Sequence, residues 1–274
     1  MFTTKIAATA FLVLSGPLLS LAGELRPETL AGWNEYIGAE KSRVAGRPEP
    51  GPFLWSDESP NRSRRVHDGE IVIAPVGENI PKKIQHGLIH HWIGAAFLPD
   101  ARLDDVFRVV RDYGRYKEFY APVVIDSKPI RNTGTDYKFS MMMLNEALFS
   151  KTALDSDFEE SYVRLDEKRW YSVAYSTRLQ EINNYGQPSQ RELPMNEGNG
   201  YVWRLYSISR FEERDGGVLV ELEAMALSRD VPASLHWVVN PIVRRVARGS
   251  LSVSLGKTQE AVRSRMAPVQ MAGR

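Results

Sequence analysis

Two alternating runs around Asp215-Gly216 form the plainest pattern in the chain. Residues 201–213 and 218–228 each change between apolar and polar at every second position. A two-residue Asp-Gly connection suits a type I′ turn, so the pattern predicts an antiparallel hairpin. Arg210 then falls opposite Glu221, with Arg204 and Glu223 on the same face, which reads as charged and wet. The other face carries Tyr201, Trp203, Leu205, Ser207, Ser209 and Phe211 against Val218, Val220, Leu222, Ala224 and Ala226. It is apolar, and Ser207, Ser209, Ala224 and Ala226 on it are small.

The same reading extends in both directions. Residues 69–76 and 84–98 read as strands, the second stopped by Pro99-Asp100. Leu103, Val106, Phe107 and Val110 recur at helical spacing up to Gly114. A shorter helix with Tyr116, Phe119 and Tyr120 then runs to Pro122. Strands are predicted over 123–131, 135–145, 148–164 and 168–180, followed by a polar loop over 183–199. Asp230-Val231-Pro232 ends the sheet, and 233–265 read as one long helix with Leu235, Val239, Ile242, Val246 and Val253 along a stripe that Leu251, Leu255, Thr258 and Val262 continue. Pro241 starts or kinks that helix, and Gly249 and Gly256 leave room for close contact.

The N-terminal quarter is organised differently. Residues 6–21 carry no charge, Lys5 precedes them, and Ser20-Leu21-Ala22 offers a small-x-small end. This reads as a cleaved secretory signal over 1–22, with an uncleaved anchor as the alternative. The expected location is therefore periplasmic or secreted. Residues 23–68 read as a helical extension and linker. Thr29 is placed to cap a helix that carries Leu30, Trp33, Tyr36 and Ile37 on one face. Residues 46–68, rich in Pro, Ser and charge, are expected as loop, with Phe53, Leu54 and Trp55 docking. The main domain is placed at 69–266, and a frayed tail at 267–274.

Composition narrows the functions. Lys plus Arg number 35 and Asp plus Glu 34, which argues against a nucleic-acid partner held by a basic surface. There is no cysteine, so thiol catalysis, cysteine-based zinc sites and disulfides are excluded. The arginines Arg244, Arg245, Arg248, Arg263 and Arg265, with Arg62, Arg64 and Arg65 in the linker, could meet anionic headgroups at a membrane surface, although a solvated face is the ordinary alternative.

The chemistry-bearing stretch is HGLIHHWIGAAFL, residues 86–98. On a strand, His90 and His91 point to opposite faces and cannot share a metal. His86 and His90 share a face but lie about 13 Å apart along a strand, and zinc–nitrogen bonds are only about 2 Å. No metal or other cofactor is expected. One of the two histidines should face the interior, as a hydrogen-bonded core group or in contact with a ligand. His236 reads as a helix-start residue. No nucleophile elbow, HExxH or phosphate loop is present. Asp104-Asp105 suit the first turn of a helix, and Met141-Met142-Met143 suit either an adaptable pocket or an ordinary core.

Three stretches carry a resemblance: GLIHHWIGAAFLPDARLDDVFRVVRDYGRYKEFYAPVV (87–124), YVWRLYSISRFEERDGGVLVELEAMALSRDVP (201–232) and ASLHWVVNPIVRR (233–245). Together they resemble the START-like superfamily, which includes the birch-pollen-allergen fold, polyketide cyclases and coenzyme Q chaperones. The resemblance implies an α+β helix-grip fold, a curved antiparallel sheet wrapped around a long C-terminal helix. It also implies an apolar ligand, such as a lipid, held between sheet and helix. By alternation, the candidate lining is His91, Trp92, Met141, Met143, Tyr171, Tyr175, Trp203, Ser207, Leu222, Ala224, Val239 and Val243. Two alternatives stay open: a cyclase or hydratase using His90 or His91 with Tyr175, and an interaction module with a filled core.

Overall fold

The computed structural model describes residues 24–45, 51–78, 80–147, 150–198, 202–230 and 236–266; for 44–45, 145–151 and 236–247 it describes only the course of the chain. The signal-like segment 1–22 and the tail 267–274 lie outside these residues. Ten strands form one antiparallel sheet: β1 (Val72–Pro75), β2 (Lys82–Ile84), β3 (Gly87–Pro99), β4 (Val124–Asn132), β5 (Asp136–Ala147), β6 (Ser150–Arg164), β7 (Arg169–Asn183), β8 (Arg191–Glu192), β9 (Arg204–Arg214) and β10 (Gly217–Arg229). The order is β1-β3-β10-β9-β7-β6-β5-β4, with β2 pairing β3 and β8 pairing β7.

The β9–β10 hairpin has the predicted register. Arg210 pairs with Glu221, and Asp215 and Gly216 both take positive φ (54° and 76°), as a type I′ turn requires. Between β3 and β4 come α3 (Leu103–Val110), a 3-10 turn at Tyr113–Arg115 and α4 (Tyr116–Phe119). Asp104 and Asp105 lie in the first turn of α3, and the Asp105 carboxylate accepts the Arg102 N–H at 3.0 Å. The last helix, α5 (His236–Met266), packs on β1, β3 and β10 and against α3 and α4. Its close approach is made possible by the sheet. A side chain at Gly94 would come within 2.8 Å of Leu255; of the expected helix glycines, a Cβ at Gly256 would sit 3.6 Å from Ile71, while one at Gly249 would meet nothing within 4 Å.

The N-terminal quarter departs from the sequence reading in three ways. Helix α1 (Pro27–Ala45) starts on a proline, and Thr29 lies inside its first turn. Thr29 does not cap; its buried hydroxyl donates to the Gln85 carbonyl at 2.9 Å and ties α1 to the turn before β3. The expected loop is largely ordered, as a 3-10 turn at Trp55–Glu58 and as α2 (Pro60–His67). Pro60 suits the first helical position, and Arg64, Arg65 and His67 in the last turn suit the dipole. Val66 is its one buried residue, too little apolar signal for periodicity to reveal.

The third departure concerns the charged face of the hairpin. It is dry: Arg210 is 2% exposed, Glu221 0% and Glu223 1%. Strand alternation assigned these residues to one face correctly, but the covering comes from the distant N-terminal segment. Trp33 and Ile37 of α1 pack on Ile89, Tyr206, Ile208, Met225 and Leu227. Beside them, Leu54 and Val66 pack on Val72, Ala95, Phe97 and Leu219. The sheet is therefore covered on both faces around β1, β3, β10 and β9, with α3, α4 and α5 on the inner one. Strand β3, buried from Gly87 to Leu98, runs between the two layers.

Candidate functional site

The inner face has two distinct halves. Toward α3 and the C-terminal part of α5 it is filled with Tyr113, Tyr137, Phe139, Phe158, Tyr162, Phe211, Leu255 and Val262. Buried within this half, the Tyr113 hydroxyl donates to Glu160 at 2.8 Å. Burial pushes the Glu160 carboxyl up, and the neighbouring hydroxyls of Ser172, Tyr113 and Tyr162 oppose the shift. Tyr120 completes the polar set through Thr258 of α5, at 3.0 Å.

The other half carries small side chains. Ser207 and Ala224 pair across β9 and β10, as do Ser209 with Leu222 and Leu205 with Ala226, and all six are only half-buried although they face inward. Met141 and Met143 approach from β5 in the same state. Of these, Ser207, Ser209, Ala224 and Ala226 are small.

Two polar groups belong to the small-residue half. The indole N–H of Trp92 is buried without a hydrogen-bond partner among the described residues. His90 shares the inner face, and its Nε2 lies 2.9 Å from the Ser228 hydroxyl. Burial lowers the His90 imidazole from 6.5 to about 4, so it is neutral at pH 7. A neutral buried histidine contributes stability above pH 6.5 that is lost as the pH falls toward 4, about 3 kcal/mol by that point. Denaturant midpoints followed from pH 7 to pH 4 should therefore fall less steeply in His90→Gln than in the wild type. Parallel curves would remove His90 from the acid response.

The structure divides the sequence-derived lining set. Trp92, Met141, Met143, Ser207, Leu222 and Ala224 face inward. The side chains of Val239 and Val243 lie outside the described residues. His91, Tyr171, Tyr175 and Trp203 face away from α5 and cannot line a space beneath it. Register gives the reason: Tyr171 pairs with Arg210, Tyr175 with Tyr206, and His91 with Met225, all on the outer face. Trp203 precedes β9 and turns outward to pack beside α1. Neither couple proposed for catalysis is assembled: His90 points inward and Tyr175 outward, and His91, although on the same face as Tyr175, is separated from it by β10 and β9. Several of the basic residues considered for membrane contact have partners within the chain. Arg62 donates to the Trp55 carbonyl, Arg65 pairs with Glu70 and Arg265 with Asp112.

The outer face holds a polar cluster that sequence reasoning missed. Glu223 accepts from Arg210 Nη1 at 2.8 Å and from Arg43 of α1. His91 Nε2 lies 2.8 Å from Glu223, and Nδ1 lies 2.6 Å from the Tyr36 hydroxyl. A neutral His91 protonated on Nε2 satisfies both contacts, donating to Glu223 and accepting from Tyr36. Burial works against the Glu223 charge, but the His91 hydrogen bond and the charges of Arg210 and Arg43 outweigh it and hold the carboxyl at about 2. Glu221 accepts the backbone N–H groups of Ser56 at 2.7 Å and Trp55 at 2.9 Å. Burial raises its carboxyl even so. The cluster thus clasps α1 and the 55–58 turn to the sheet.

A sheet curled over α5, with two short helices after an early strand, defines the architecture. The fold is the START-like helix grip. No protein-family model matches the chain, and no curated protein does. Among solved structures, the STAR-related lipid transfer protein from Xanthomonas axonopodis is 16% identical, with 71% of this chain and 97% of that one covered and a TM-score of 0.43. Human STARD10 is 12% identical over 79% of this chain and 83% of that one, also at 0.43. The Zhui aromatase/cyclase from Streptomyces sp. R1128 is 11% identical over 66% and 98%, at 0.41. The helix-grip assignment rests on the strand order and the position of α5, not on these overlaps.

Proposed function

We propose that the protein binds an apolar small molecule, such as a lipid, between the inner face of the sheet and α5. The observation that carries this reading is the row of small, half-buried residues around Ser207 and Ala224, beside an aromatic half that is fully packed. Apolar ligand surface leaving water contributes about 25 cal/mol per Å². The unpartnered Trp92 N–H and the neutral His90 supply the few polar groups that set orientation in such sites. Export supports a carrier or storage role outside the cytoplasm; it is inferred from the charged start, apolar centre and small-residue end of residues 1–22.

Native mass spectrometry of protein purified from its own host is the test. The expected result is an apolar compound near one per chain, released on denaturation. The double variant Ser207→Leu/Ala224→Phe fills the small half of the inner face. It should reduce the bound fraction at least tenfold while leaving the circular dichroism spectrum unchanged. A folded variant that retains the compound would place the ligand elsewhere.

A further inference from the structure

The outer cluster contains more than a clasp for α1. One oxygen each of Glu40 and Glu223 and one nitrogen of His91 all lie within 4.8 Å of one another. They come from α1, β10 and β3, so no local motif announces them. The strand argument that separates His90 from His91 leaves this set untouched. We propose that Glu40, His91 and Glu223 form a binding site for a divalent transition-metal cation, Zn²⁺ above all, which joins the N-terminal helix to the sheet.

Four observations support this. First, the donors are one imidazole and two carboxylates, a mixed set that suits Zn²⁺ and its first-row neighbours better than Mg²⁺ or Ca²⁺. Second, the other ring nitrogen of His91 faces the Tyr36 hydroxyl at 2.6 Å. With a metal on Nε2 the proton moves to Nδ1 and is donated to Tyr36 Oη, which is the outer-shell support that metal-bound histidines use. Third, the hydroxyl of Tyr206, a residue 4% exposed, has no hydrogen-bond partner among the described residues. Tyr206 and His91 flank Met225 from either side, on β9 and β3.

Fourth, a cation already serves these carboxylates. Arg43 Nε donates to Glu40 at 2.7 Å, and Arg43 Nη2 donates to Glu223. Its side chain is 37% exposed, so it can turn to solvent without crossing the core. Arg210 remains on the second oxygen of Glu223 and needs no rearrangement. Arg43 and the metal therefore compete for one place.

That competition sets the test. The full chain is treated with chelator and titrated with Zn²⁺, with Mg²⁺ as control, by isothermal titration calorimetry, and bound metal is counted by mass spectrometry. One Zn²⁺ per chain is expected, with no Mg²⁺ binding. Arg43→Ala removes the competitor and should tighten Zn²⁺ at least tenfold. Glu40→Gln removes a ligand at the rim and should weaken it at least tenfold. Both variants leave the Glu223 contacts to Arg210 and His91 in place, so both should fold. A Zn²⁺ affinity that Arg43→Ala fails to raise, or that Glu40→Gln leaves unchanged, overturns the assignment.

Discussion

Replacing Glu223 by alanine is expected to cost about 3–5 kcal/mol of folding stability, because it strands a buried charge. Glu223 is the common partner of Arg210, Arg43 and His91. Arg43 can reach water, but Arg210 is 2% exposed and would keep its charge in a dry seam with one guanidinium nitrogen already unpartnered. Urea midpoints for Glu223→Ala should fall accordingly. Removing both charges together, as Arg210→Met/Glu223→Leu, should restore most of the loss, since apolar replacement of a buried pair is often neutral or better. If the double variant is less stable than Glu223→Ala alone, the pair itself, and not the orphaned charge, holds the stability.

Deleting residues 24–45 should be more damaging still. The deletion takes away Trp33 and Ile37, which are buried, and uncovers Ile89, Ile208, Met225 and Leu227, each of which is fully buried beneath α1. Returning one such side chain to water costs about 1.5–3 kcal/mol. Several together rival the 5–15 kcal/mol that stabilises a whole domain. His91 and Glu223 would face solvent as well. The truncated chain is expected to lose its cooperative thermal transition and to bind a hydrophobic dye, whereas the full chain should melt in one step. An unchanged melting temperature would make α1 an appendage and not part of the core.

These expectations differ from the sequence reading at identifiable points. The β9–β10 register was legible because turn chemistry and alternation are local, and Asp215-Gly216 anchors both. The succession of α3, the 3-10 turn and α4 was legible for the same reason, through the spacing of Val106 and Phe107 and the break near Gly114. What covers each face was not legible. The bond from Trp55 N–H to Glu221 spans 166 residues, and no periodicity reports such a meeting. Strand phase was readable only where one face differs from the other. In β3 both faces are apolar, so nothing in IHHW reveals that His91 faces outward. In β7 the phase depends on pairing with β9, and a bulge near Asp157 shifts the register further. The inward-facing candidates from β9 and β10, Ser207, Leu222 and Ala224, were recovered, and the outward-facing Tyr171 and Tyr175 were mistaken for their neighbours.

The strand order carries one more consequence, at the end of the sheet. Among the described residues strand β4 pairs only with β5, so it forms an edge of the sheet, the kind of border to which another chain can add. Its sequence makes that edge a poor template. Pro129 withholds a donor, register breaks at Val124/Asp126 and Pro129/Arg131 bend the strand, and Lys128 and Arg131 stand exposed on it. A second molecule adding there would meet like charge and interrupted bonding. The exposed Ile130 can remain at that border without seeding fibres.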